Sequence, residues 1–201
     1  MKMKTQKGSV LLISLVFLLL LTIVGVTAMN ISTLQEHMAG NYRDQDLAFQ
    51  AAEAALLEGE QWVKSNSFEL SQVYTNPQAT GVNAFTATCN NGLCFDGTFP
   101  SSSAPVTSCV PGTTTPWTSS TLWSTATRYH QLAAADQMQG TVQNARYIIE
   151  FRCFTPRDSS NASPDPSDYA QWSPLFRITA LASGSSADSQ VMLQSTYKKI
   201  D

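Results

Sequence analysis

The chain has 201 residues, only 13% of them charged, and a formal net charge of −3. Without the N-terminal lysines Lys2, Lys4 and Lys7 the balance falls to about −6, which excludes the clustered basic surface that nucleic-acid binding needs. With about 20 residues committed to one apolar segment, the length leaves room for a single soluble domain.

That apolar segment comes first. Three lysines precede Gly8, Val10–Met29 is predominantly apolar, and no charged side chain occurs from Gly8 to Gln35. A helix of about 20 such residues crosses the roughly 30 Å hydrocarbon core with its backbone groups satisfied internally. The lysines before it place the N-terminus on the cytoplasmic side. A secretory signal has a shorter apolar region and a small-residue cleavage site after it, and no A-x-A-like site follows this run. The junction suited to processing lies before the helix, at Gly8–Ser9. On the apolar run alone, an ordinary single-pass anchor is the simpler reading.

The helix is expected to continue past the membrane. No proline occurs from Ser9 to Lys64, and the first is Pro77. Ile31, Leu34, Met38, Tyr42, Phe49, Leu56 and Val63 recur at close to helical spacing. A helix of about 55 residues, about 80 Å long, follows. Its outer half carries Ala48, Ala52, Ala55 and Gly59 on one stripe, which lets a sheet approach closely; plain helix propensity also accounts for the alanines. Gly40 is a weak point, costing about 1 kcal/mol against alanine. The organisation predicted is a leader over 1–8, a transmembrane helix over 9–29, its outer half over 30–64 and a globular head over 65–201.

Residues 65–140 are the least legible part. Runs such as Ser101-Ser102-Ser103-Ala104-Pro105 and Gly112-Thr113-Thr114-Thr115-Pro116 argue for loops. Leu132–Ala135 favours a short helix somewhere in Thr121–Met138. Cys89, Cys94, Cys109 and Cys153 all lie beyond the membrane segment, with no CxxC pair among them. A zinc site wants tighter ligand pairs, and an even count in an oxidising compartment reads as two disulfides. Three pairings are open. Cys89–Cys94 with Cys109–Cys153 is favoured, because Asn90-Asn91-Gly92 supplies the turn that a short loop needs.

Strand signals return after Asn144. Tyr147, Ile149, Phe151 and Cys153 alternate with Glu150 and Arg152, the pattern of a half-buried strand. Leu175–Ala182 and Gln190–Lys198 repeat it, and Gly184-Ser185-Ser186 turns one into the other. The connection Thr155–Ser173, with Pro156, Pro164 and Pro166, reads as a surface loop.

No catalytic constellation emerges. His37 sits beside Glu36 on the helix as a solvated residue, and His130 has no partner in sequence. The serines form no G-x-S-x-G turn, and neither a phosphate-binding glycine loop nor H-E-x-x-H occurs. Asp44/Asp46 and Glu58/Glu60 read as exposed helix residues. Asp158, Asp165 and Asp168 are spaced too widely for an EF-hand-like calcium site. The expectation is no enzyme, no metal and no cofactor.

A short basic leader ending in Gly8, followed by an apolar helix that stays attached, resembles a type IV prepilin. The stretches Thr33-Leu34-Gln35-Glu36-His37-Met38-Ala39-Gly40-Asn41 and Leu47-Ala48-Phe49-Gln50-Ala51-Ala52-Glu53-Ala54-Ala55-Leu56 resemble the N-terminal region of PilX-type minor pilins. Over about the first 60 residues the resemblance is specific. Later it is looser, in Arg177-Ile178-Thr179-Ala180 and Leu193-Gln194-Ser195-Thr196-Tyr197. It implies an α+β, type IV pilin-like fold, with the long N-terminal helix packed on a small antiparallel sheet. It also implies cleavage between Gly8 and Ser9 by a prepilin peptidase, and methylation of the Ser9 amine.

The departure from that family falls at Ile13. Most pilins that this chain resembles have a glutamate five residues into the mature chain, paired with the N-terminal amine of a neighbouring subunit. Counting from Ser9, that position is Ile13. A subunit without the glutamate offers its own amine but accepts none, which suits a filament end. The tip-most minor pseudopilin of type II secretion lacks the glutamate too, and that parallel is an analogy. The expected role is therefore a minor pilin that helps to prime and cap the filament. Other minor pilins and the major pilin would be its partners, with a large tip adhesin as a further candidate. It would reside in the bacterial inner membrane before assembly and at the pilus tip afterwards, in pili used for adhesion and twitching motility. The alternatives are a minor pseudopilin of type II secretion and, in another class, a membrane-anchored periplasmic binding protein or hydrolase.

Overall fold

A computed structural model describes residues 9–66, 85–97, 105–110 and 115–200. The chain divides into two compact units, Met1–Arg43 and Asp44–Asp201. Helix α1, Ser9–Ser65, runs through the division and through Gly40 without a break.

In the first unit every described side chain from Val10 to Arg43 is exposed. This part of α1 is long and apolar enough to cross a membrane. Several of its hydroxyls bond back to the helix itself. Ser14 Oγ donates to Leu11 O at 2.9 Å, Thr22 Oγ1 to Leu19 O at 2.8 Å and Thr27 Oγ1 to Ile23 O at 2.7 Å. In hydrocarbon, where water offers no partner, such back-bonding removes the cost of an orphaned hydroxyl.

In the second unit, α1 buries Ala48, Ala51, Ala52, Ala55, Gly59 and Val63, the small-residue stripe with its neighbours. Close approach needs the glycine: a Cβ on Gly59 would stand 2.7 Å from Ile178 Cγ2 and 3.1 Å from the Tyr147 ring. The sheet beneath consists of β1 (Leu93–Cys94), β2 (His130–Gln131), β3 (Arg146–Pro156), β4 (Trp172–Ser183) and β5 (Gln190–Lys198). Its order is β1-β3-β4-β5, with β2 also pairing β3. Strands β3, β4 and β5 are antiparallel, placing Ile149 opposite Ile178 and Ile178 opposite Ser195. Tyr147, Ile149, Phe151, Phe176, Ile178 and Ala180 fill the core shared with the helix.

Three features differ from the sequence expectations. The sheet is mixed, because β1 joins β3 in parallel, with Leu93 opposite Ile149. A parallel pair needs a long crossover, and the 52 residues or so from β1 to β3 provide one. Strand β3 is buried on both faces: Ile148 packs with Cys89, Cys94, Leu122, Trp123 and Leu181, and Glu150 is 3% exposed. The segment around helix α2 (Ser120–Ser124) covers the face expected to meet water. The short helix lies at Ser120–Ser124 and not at Leu132–Ala135. Leu132 leaves helical geometry, donates its N–H to Ala145 O at 2.9 Å and buries its side chain.

Long-range polar contacts hold the ends of the packed helix. Asp44 accepts from the Ser185 amide, from Ser185 Oγ at 2.7 Å and from Ser186 Oγ at 3.0 Å. The Ser185 hydroxyl bond leads in holding its carboxyl below the usual range. At the other end Lys199, 6% exposed, donates Nζ to Val63 O, Lys64 O and Asn66 O at 3.1, 3.3 and 2.7 Å. A cation satisfying the last carbonyls is the favourable arrangement at a helix C-terminus.

His130 fills the gap between helix and sheet. Its ring stacks on Tyr147 at 5.0 Å and lies 5.3 Å from Trp62, and Nε2 is buried without a hydrogen-bond partner among the described residues. Gly92, at φ +73°, makes room, since a Cβ there would stand 2.5 Å from His130 Cδ2. Burial pushes the His130 pKa below its ordinary 6.5. The folded state then binds the proton less readily than the unfolded chain. Stability is full above pH 6.5 and falls as pH drops below it, with a slope of at most about 1.4 kcal/mol per pH unit. Denaturation of the full chain in detergent across this range should show that slope, and His130→Phe should flatten it.

Candidate assembly interface

The residues capable of chemistry do not converge. His37 is exposed on α1, and His130 is enclosed by rings. Among the described residues no three His, Cys, Asp or Glu side chains could hold a metal ion. The loop aspartates make local turns: Asp158 Oδ1 accepts from Ser160 N and Asp165 Oδ1 from Ser167 N, both at 2.8 Å, and Asp168 Oδ1 from Ala170 N at 3.0 Å. The Ser160 amide leads in holding the Asp158 carboxyl below its usual range, and the Ser167 hydroxyl, donating at 2.7 Å, leads for Asp165.

What the described residues do show is an exposed apolar helix and a buried charge cluster. In the first unit, the apolar side of α1 stands open, including Leu11 at 73% and Phe17 at 62% exposure. Ile13 lies in this surface, and no Asp, Glu, Lys or Arg stands between Ser9 and Gln35. Gly8 lies outside the described residues, and Ser9 is described only as the first residue of α1.

In the second unit, the sheet face away from the helix carries a charge cluster. Glu150 accepts from Arg177 Nε and Nη2, both at 2.8 Å, and Arg152 Nη1 lies 3.7 Å away. The Arg177 guanidinium lies 3.7 Å over the Trp117 ring. Cys109 is joined to Cys153, and Cys89 to Cys94. Arg152 Nη2 donates to Cys109 O at 2.8 Å, and Phe154 N to Val106 O at 2.7 Å. Residues 105–110 are thereby clamped to β3. Glu150, Asp44 and Lys199 were not singled out as structural residues by the sequence. The adjacency of Ile148 to Ile149, which breaks strict alternation, was the available signal that β3 has two buried faces.

The first unit thus carries an exposed apolar stretch of α1, and the second a small-residue stripe of α1 packed on the sheet. Residues 7–57 match the family model described as PilX N-terminal, and residues 65–199 the one described as type IV pilus assembly protein PilX C-term. The chain belongs to the PilX family of type IV pilus assembly proteins. Comparison with curated proteins and with solved structures gave no match. Between them the two PilX matches take in most of α1 and the whole described sheet. Membership makes this a type IV pilus assembly-related minor pilin, and the long apolar stretch of α1 is compatible with a membrane anchor.

Proposed function

We propose that this PilX-family chain acts at the end of the pilus, priming assembly with other minor pilins and capping the filament. One observation carries the reading: the carboxylate that would receive a neighbour's amine is replaced by Ile13, and no other acid lies from Ser9 to Gln35. Processing at Gly8–Ser9 and methylation of Ser9 would prepare the amine, which the chain can still offer to a neighbour carrying the glutamate. Before assembly the chain would rest in the inner membrane through Val10–Met29, N-terminus in the cytoplasm. Its head would then meet other minor pilins, the major pilin and a large tip adhesin.

The expected result is a very low copy number, confined near one end of sheared pili. Quantitative mass spectrometry and immunogold labelling read both. Ile13→Glu should not raise filament yield, because a carboxylate at that depth costs a few kcal/mol unless an amine meets it. Shaft-wide distribution, or a clear gain from Ile13→Glu, would make this an internal subunit.

A further inference from the structure

The two edges of the sheet are treated differently. At one edge β1 is two residues long. At the other, β5 presents nine residues, Gln190–Lys198, and among the described residues it pairs only with β4. Its pairing with β4 is continuous, without a bulge, and the strand contains no proline and no glycine. Its single charge, Lys198, is turned onto Pro156 O at 2.6 Å and Arg157 O at 3.3 Å. Natural sheets blunt free edges with charges, prolines, bulges or short strands, because an open row of N–H and C=O groups templates another strand. This edge has none of these, so its backbone groups are displayed for pairing.

The side chains define what fits. Val191, Leu193 and Tyr197 pack half-buried against the main core, as does Leu56 of α1. Trp62 meets His130 of β2 on one flank of the buried helix stripe. Leu56, about 120° further round the helix, lies on the opposite flank, toward β5. Phe49, two turns before it, is 42% exposed. A strand added beside β5 thus meets an apolar strip along the helix on one face. On its other face it lies beside Met192, Gln194 and Thr196, which are exposed.

We infer that the β5 edge is the docking site for an extended strand of a different pilus protein, with alternating apolar and polar residues, added to the sheet by β-augmentation. A second copy of this chain fits poorly. Antiparallel pairing of two β5 edges about a two-fold axis reverses the α1 helices of the two copies, and helices anchored in one membrane cannot run in opposite directions. That step rests on the anchored reading of α1 given above.

The test uses the full-length chain in cells that make the other pilus proteins. A photo-reactive residue placed at Met192 should crosslink to one extended segment of another subunit, identified by peptide mapping. In that complex the amides of 190–198 should exchange at least tenfold more slowly. The change Thr196→Glu, at an exposed edge position opposite Arg177, should cut the crosslink tenfold or more without lowering the temperature of thermal unfolding. Crosslinks to a second β5, crosslinks to a helical segment, unchanged amide exchange, or full crosslinking by the Thr196→Glu variant would each overturn the inference. A shaft-wide distribution of the chain would overturn the capping role and leave these crosslinks standing.

Discussion

Glu150→Ala should destabilise the folded protein by about 3 kcal/mol, the lower end of the range for breaking a buried ion pair. The reason lies in what the change leaves behind. Glu150 is 3% exposed and takes both arms of Arg177 at 2.8 Å, with Arg152 at 3.7 Å. Without it, two guanidiniums remain in the space under the covering segment without a counter-charge. Their side chains keep 17% and 14% exposure, so water softens the loss and the low end applies. Glu150→Gln should cost less, since the amide oxygen still accepts one bond. Replacing the pair together, Glu150→Leu with Arg177→Met, should recover much of the stability, because apolar isosteres remove the desolvation along with the attraction. Equilibrium denaturation of the three variants decides this. A loss under about 1 kcal/mol for Glu150→Ala would show that water reaches the cluster freely.

Glu150 also marks where reading from the sequence stopped short. Periodicity located the three long strands and the helix stripe, because those signals are local: alternation over 147–153, 175–182 and 190–198, and Ala48, Ala52, Ala55 and Gly59 at helical intervals. The same alternation assigned Glu150 and Arg152 to a solvated face, since a charged residue opposite a core position ordinarily meets water. What covers them comes from 115–129, where Trp117, Leu122 and Trp123 are scattered among serines, threonines and a proline with no period to read. Asp44 and Lys199 were hidden for a related reason. Their partners lie more than 130 residues away in the chain, beyond any local pattern. Ile13 was legible as an apolar residue of α1, because it belongs to one uninterrupted helix. The β5 edge was not, because only the sheet order shows that β5 ends the sheet.

The second large effect concerns the clamp beside that hidden face. The Cys109–Cys153 bridge closes a separation of 44 residues, and Cys89–Cys94 one of 5. If a bridge acts by restricting the unfolded chain, the longer loop contributes about 4 kcal/mol and the shorter about 2. Cys109→Ala with Cys153→Ala should therefore cost the more of the two double changes. The structure adds a second consequence. Residues 105–110 are held to β3 by the bridge, by Arg152 donating to Cys109 O and by Phe154 N donating to Val106 O. Releasing the bridge loosens this segment and with it the Cys109 carbonyl that holds Arg152 beside Glu150. In the released background Glu150→Ala should then cost at least about 1 kcal/mol less than in the intact protein, a coupling that a double-mutant cycle measures directly. Additive losses would mean that the segment stays in place without its bridge. A larger loss from breaking Cys89–Cys94 would mean that the short loop, with the two-residue β1 and the gap filled by His130, organises the second face of the sheet instead.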